Sequence, residues 1–231
     1  MKCVQVLDRL DGLVDSRSIL GHPFYVAWHR GELSRAQLAT YARVYYPHVA
    51  AFPGHLEEAL GRATEPAVRD ELARNLADEL GRPAPHPELW LDFAEELGLD
   101  RDQVVADPPH PAAERMINTL RSRASGSTAG ALAALYAYES QQPEVSDTKM
   151  EGLERYYDVS SQKGLAYFAV HATLDREHRE GEREALGCCL DQGADVDEVL
   201  GAAEDALAAY WQLLDGVCEE AGVPMATQEV S

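Results

Sequence analysis

The sequence predicts an all-α protein: a single bundle of seven to eight helices without a sheet. Three observations carry that expectation. Apolar residues recur at helical spacing along nearly the whole of the 231-residue chain, and no run alternates apolar with polar residues as a half-buried strand would. Proline and glycine fall in short clusters between these runs, so the connections are brief. The chain is long enough for one sizeable core, is 45% hydrophobic, and carries no internal repeat or low-complexity linker. One domain over residues 1–222 is expected, with a flexible tail over 223–231.

Taken in order, Val4 to Ser16 places Val6, Leu7, Leu10, Leu13 and Val14 on one side of a short amphipathic helix. His22-Pro23 interrupts, and Phe24 to Trp28 follows as an aromatic-rich helical turn. Ser34 is a natural N-cap for a long helix reaching Arg62, which Pro47 and Pro53 should kink. Glu65-Pro66 opens the next helix, with proline in the first turn, and it runs to Leu80. The segment Gly81 to Pro87 reads as a loop, and Glu88 to Leu97 as a helix closed by Gly98. Asp107 to Pro111 is a second loop, before a helix over Ala112 to Ala124. Gly126-Ser127 caps an alanine-rich helix from Thr128, interrupted at Pro143 and continuing to Tyr157. One proline-free helix spans Ser161 to Leu190, and a last one runs from Asp195 to near Ala221.

Composition excludes several function classes. Forty acidic residues against 20 basic ones give a net charge of −20, whereas nucleic acid and anionic membrane both require a basic footprint. No apolar run approaches the ~18 residues of a membrane helix. The N-terminal residues Met1 to Arg9 lack the apolar block of a leader, and the four cysteines form no framework. Reduced thiols and a cytoplasmic location are the expectation. Only Lys2, Lys149 and Lys163 are lysines, so an interior lysine is a rare residue here.

The chemistry centres on one stripe. His171, Asp175 and His178 stand at i, i+4 and i+7 and project within about 60° of one another on a helix. Two imidazoles and a carboxylate on one helix face are three metal ligands already positioned. The neighbouring charges Arg176, Glu177, Arg179 and Glu180 lie on other faces, and His171 follows an apolar run. Three more candidates lie upstream. Glu79 ends one helix, His86 sits in the proline-bracketed loop after it, and Glu139 lies in the middle of the alanine-rich helix. A glutamate among Ala, Leu and Tyr is costly to bury without a cation or donors. Three carboxylates and three imidazoles without a cysteine suit iron or manganese better than structural zinc. The set predicts a two-metal, oxygen-activating centre in a helical bundle, in a ligand order unlike the Glu-x-x-His repeat of ferritin-like proteins.

Several blocks carry a resemblance. They are His22-Pro-Phe-Tyr25-Val-x-Trp28, Gly31-Glu-Leu, Tyr41-Ala-x-x-Tyr45-Tyr46, Phe52-Pro53, Asp78-Glu79 through His86, Ala133-Ala-Leu-Tyr-x-Tyr138-Glu139-Ser-Gln, and His171-x3-Asp175-x2-His178. In that order they resemble the heme-oxygenase-like superfamily of TenA thiaminases, PqqC oxidases and heme-oxygenase-like dimetal oxidases. Within it the nearest likeness is to the family of the Chlamydia protein associating with death domains, nearly end to end. The resemblance implies a heme-oxygenase-like fold, a homodimer, and a dimetal centre (Fe/Fe or Mn/Fe) on Glu79, His86, Glu139, His171, Asp175 and His178. Molecular oxygen and an external electron donor would be co-substrates. It also implies synthesis of 4-aminobenzoate, the aromatic part of folate, from the protein's own tyrosine. Carried across, the sacrificed residue matches Tyr25, the amine donor matches Lys149, and Tyr41 matches a tyrosine implicated in radical transfer. Host death-domain binding is not expected of so acidic a chain.

Two other functions use the same residues differently. One is a dimetal oxygenase acting on an external small molecule; the other is a metal-free binding protein that keeps a TenA- or PqqC-like fold. Tyrosines at helical spacing are ordinary core filler, and a lone lysine ordinarily snorkels to the surface.

Overall fold

A computed structural model describes residues 3–225, and among these every regular element is helical. Eleven α-helices follow one another: α1 (Cys3–Ser16), α2 (Pro23–His29), α3 (Arg35–Arg62), α4 (Pro66–Glu79), α5 (His86–Glu96), α6 (Arg101–Ala106), α7 (Pro111–Ala124), α8 (Thr128–Glu139), α9 (Gln142–Tyr156), α10 (Gln162–Asp191) and α11 (Val196–Ala221). A single 3-10 turn, Ile19–Gly21, precedes α2. Residues 226–231 of the expected tail lie outside the described residues.

The local chemistry accounts for most boundaries. The helices α2, α4, α5, α7 and α9 carry proline in their first turn, where its missing N–H would have no intrahelical partner in any case. Ser34 and Gln37 form a capping box that starts α3, which continues through Pro47 and Pro53 to Arg62. Ser127, Ser161 and Asp195 cap α8, α10 and α11 through their side-chain oxygens.

The helix count exceeds the seven to eight expected from sequence. Asp100 caps a short helix, α6, in a stretch where the sequence pattern predicts none. The alanine-rich run also ends at Glu139, and Pro143 stands in the first turn of a separate helix, α9. A proline at 143 cannot donate to the Glu139 carbonyl four residues back, so the first helix stops there. Two expectations are corrected as a result. Glu139 is the last residue of α8, not a mid-helix residue. His86 is the first residue of α5, not part of a loop.

The element at the centre is α8, buried at every position from Ala129 to Glu139. Its small side chains let α11, α10 and α7 approach it closely. Around it α10 packs on α4, α5 and α9, while α3 packs on α4, α5 and α7. Two polar regions lie inside this apolar shell.

Candidate metal centre

The first region lies between α4, α8 and α10. His171 projects from α10, and its Nδ1 donates to the Tyr167 carbonyl at 2.7 Å. That contact fixes the tautomer and leaves Nε2 free, 3.7 Å from Glu79 Oε1. His86 enters from α5 with Nδ1 2.9 Å from the same oxygen. Nδ1 therefore meets the Glu79 carboxylate as an ion-pair contact, while Nε2 has no partner among the described residues. Ligand atoms of Glu79, His86 and His171 all fall within 4.8 Å of one another. Burial works against the Glu79 carboxylate, but His171 and His86 outweigh it and hold its pKa down at about 2.

One, two and three turns further along α10 stand Asp175, His178 and Glu182. Asp175 is buried with one oxygen unpartnered. His178 Nε2 lies 3.3 Å from Asp78 Oδ2, and its Nδ1 lies 3.7 Å from Glu71 Oε1. Across from them Glu139 accepts two hydrogen bonds from Asn75 Nδ2, at 2.8 and 3.1 Å. Burial pushes Asp175 and Glu182 well above the ordinary carboxylate range, and the Glu139 charge adds to it in both cases. For His178 burial opposes the charge, yet the carboxylates of Glu71, Glu139 and Asp78 raise its pKa. Gly181 makes this packing possible: a Cβ there would occupy the place of the Glu71 carboxylate.

These groups fit a cation. Burying several carboxylates without donors is unfavourable by several kcal/mol per ion, and a divalent ion removes that penalty. The unpartnered atoms of His86, Asp175, His178 and Glu182 are the kind of orphan a ligand would occupy. A set of imidazoles and carboxylates without sulfur suits iron or manganese.

The second region is a chain of buried phenols ending on a buried amine. Lys149 Nζ, on α9, donates to Tyr41 Oη at 2.7 Å. Tyr41 Oη lies 3.1 Å from Tyr25 Oη, which lies 3.5 Å from Tyr210 Oη. Gln142 donates to Tyr210 at 3.3 Å, and Tyr45 Oη meets Tyr138 Oη at 3.1 Å. Lys149 is only 3% exposed, so it is no surface lysine. Burial alone depresses its pKa well below the usual lysine value. The same desolvation raises the phenols of Tyr25 and Tyr41. The two regions meet at Tyr138 and Tyr167, which line a cavity of about 10 Å³ together with Glu79, Glu139, His171 and Asp175.

The structure therefore gathers Glu79, His86 and His171 tightly, places Glu139, Asp175 and His178 beside them, and puts Tyr25, Tyr41 and Lys149 in one neighbouring cluster. Sequence reasoning missed Glu71, Asn75, Glu182, Gln142 and Tyr210. Glu182 was findable, because it continues the α10 stripe at i+11 from His171. Glu71 and Asn75 continue the Glu79 face of α4 at spacings of four. Tyr210 gave no local signal, since its partner Tyr25 lies 185 residues away.

The family described as iron-containing redox enzyme, a heme-oxygenase-like group, matches residues 39–211. The 4-aminobenzoate synthase of Chlamydia muridarum is 37% identical over 216 residues, covering 93% of this chain and 91% of that one. The 4-aminobenzoate synthase of Nitrosomonas europaea is 34% identical over 221 residues, covering 91% and 90%. Among solved structures, a CADD-like protein of unknown function from Nostoc punctiforme superposes with a TM-score of 0.77, at 20% identity and 95% and 98% coverage, a likeness of fold. No helix among the described residues is long and apolar enough to cross a membrane.

Proposed function

Because this chain belongs to the heme-oxygenase-like family of iron-containing redox enzymes, we propose that it makes 4-aminobenzoate from its own Tyr25, with Lys149 as the amine donor. The observation that carries the reading is the buried contact between Lys149 Nζ and the Tyr41–Tyr25 hydroxyl pair. A rare lysine, desolvated and held against two phenols beside a cluster of metal-ligating side chains, has no evident purpose in packing.

The chemistry follows from the two structures involved. The ring and Cβ of tyrosine supply the seven carbons of 4-aminobenzoate. Release breaks the Tyr25 Cα–Cβ bond and oxidises Cβ to a carboxylate. The phenol oxygen leaves as water in exchange for Lys149 Nζ, whose bond to Cε breaks to leave that carbon oxidised as an aldehyde. Molecular oxygen is the oxidant, and an external donor supplies the remaining electrons. Glu79, His86, Glu139, His171, Asp175 and His178 would hold two ions, iron with iron or manganese with iron, which supply one-electron redox chemistry when bound.

The chain's own residues set the rest. Tyr41 sits between the amine and Tyr25 and holds the two at hydrogen-bond range. The burial that depresses the Lys149 pKa favours the free amine, whose lone pair is what a nitrogen donor needs. Raised phenol pKa values keep Tyr25 and Tyr41 protonated, so their hydroxyls can pass a proton along the chain. Tyr138 and Tyr45 continue the phenols toward the ligand cluster. Packed aromatic groups exclude water around Lys149, whose Nζ lies 4.8 Å from the Tyr25 ring centre. A cavity of about 10 Å³ beside the ligands is at most water-sized and favours an internal substrate over an external one.

The test is isotopic. Protein expressed with ring-labelled tyrosine, loaded with iron and manganese and given reductant and oxygen, should release labelled 4-aminobenzoate at no more than one per chain. Its mass should fall at the peptide containing Tyr25. Tyr25→Phe should keep its metals and release none. Many turnovers per chain, or an active Tyr25→Phe protein, would overturn the reading in favour of an external substrate.

A further inference from the structure

We propose that Glu182 is a metal ligand, completing an oxygen-rich second metal position with Glu139, Asp175 and His178. The inference rests on the reading that this cluster holds metal. It goes beyond the six ligands named above by adding a seventh from the same helix.

Geometry on α10 comes first. Glu182 lies eleven residues after His171, which on an α-helix places it about 20° from His171, between the directions of Asp175 and His178. The residue thus continues the ligand stripe by one more turn. It is fully buried, and neither oxygen accepts a hydrogen bond from any donor group of the polypeptide; its one polar neighbour is another carboxyl. Its carboxyl group faces that of Glu139, which Asn75 holds in place through both oxygens.

Nearby cations serve other partners. Arg183 pairs with Asp8 and Asp11, and Arg179 with Glu144 and the Ser140 carbonyl. Arg74 pairs with Glu71. A carboxyl group sealed from water against another carboxylate, with its arginine neighbours turned away, is placed for a cation that the polypeptide does not itself supply.

The second position needs this residue. Glu79, His86 and His171 already converge on one point. Glu139, Asp175 and His178 would otherwise leave the second ion with three protein ligands. Adding Glu182 gives it three carboxylates and one imidazole, against one carboxylate and two imidazoles at the first. Carboxylate-rich sets suit manganese and imidazole-rich sets suit iron, so Glu182 biases the second position toward manganese.

The experiment loads full-length parent and Glu182→Gln protein anaerobically with manganese(II) alone or iron(II) alone. Elemental analysis and chelator competition then read stoichiometry and affinity. Two equivalents are expected in the parent. The variant should retain the first equivalent with parental affinity and bind the second at least about tenfold more weakly, with the larger loss for manganese. A variant that binds both equivalents like the parent overturns the role of Glu182 alone. A parent that binds a single equivalent overturns the second position, and one that binds none overturns the metal reading itself. If Glu182→Gln does not fold, anomalous diffraction from manganese-loaded parent decides the matter. A Glu182 oxygen within bonding distance of the second ion supports the assignment, and its absence from the coordination sphere overturns it.

Discussion

Two polar regions share one apolar core, and they satisfy burial in opposite ways. Among the phenols, each hydroxyl both donates and accepts, so Tyr25, Tyr41, Tyr45, Tyr138 and Tyr210 pair with one another, with Lys149 and with Gln142. None of their oxygens is left unpartnered among the described residues. The carboxyl oxygens of Glu71, Asp175 and Glu182 meet too few donors, and some of them stay orphaned. One region is complete as folded polypeptide. The other is complete only with a cation. The difference teaches that deleting a phenol hydroxyl should weaken the fold, whereas deletion at the carboxylate region should relieve the metal-free protein and harm only the loaded one.

The largest effect should come from emptying the carboxylate region. In the Glu139→Ala, His171→Ala double variant, metal content should fall from two equivalents per chain to one or none by elemental analysis. Metal added at 100–1,000 times its Kd should stabilise the parent by about 3–4 kcal/mol and the double variant far less. Without metal the double variant should melt no lower than the parent, because a buried carboxylate has gone. A metal-free double variant that melts far below the metal-free parent would break the comparison at its first term.

Lys149 comes next, since it is the phenol region's one costly member. Its folded pKa lies below the unfolded value of about 10.5. Between those two values the unfolded chain binds more protons, so stability rises with pH through that window. Lys149→Met removes the desolvation penalty at nearly constant shape. We expect its melting temperature to exceed the parent's by about 2–4 °C or more near pH 7, and the gain to vanish as pH passes 10.5. Calorimetry across pH 7–11 checks both sign and window. A variant that melts lower than the parent at pH 7 would mean the amine's bond to Tyr41 outweighs its burial.

Much of this was legible in the sequence, for identifiable reasons. Helix periodicity, Ser34, Ser127 and Asp195 as caps, and proline in first turns gave most helices, because those signals act within a few residues. The stripe His171, Asp175, His178 was legible because a helix repeats every 3.6 residues. The α8–α9 break after Glu139 was harder, since it depends on one carbonyl losing its donor at Pro143. Lys149 was legible as rare but not as buried, because its burial is made by α2, α3 and α10 packing against α9, as the rings of Tyr25, Tyr41 and Phe168 around Nζ show. The pairing of Tyr210 with Tyr25 is a property of the fold alone, with nothing local to announce it.

The smallest effect tests the phenol region from that long-range member. Tyr210 Oη receives the Gln142 amide at 3.3 Å and lies 3.5 Å from Tyr25 Oη. Phenylalanine at 210 keeps the ring and its packing against Tyr138. It removes one acceptor for Gln142, whose amide still reaches the Tyr138 carbonyl at 3.4 Å. It leaves Tyr25 its shorter bond to Tyr41. The cost is therefore near the net worth of a single neutral hydrogen bond, about 1 kcal/mol. Metal content should not change, because Tyr210 touches no candidate ligand. Denaturant melts of metal-free and metal-loaded Tyr210→Phe should show the same loss relative to parent. A loss confined to the loaded protein would mean that the two regions are energetically coupled through Tyr138, and that the phenols are not complete without the cation.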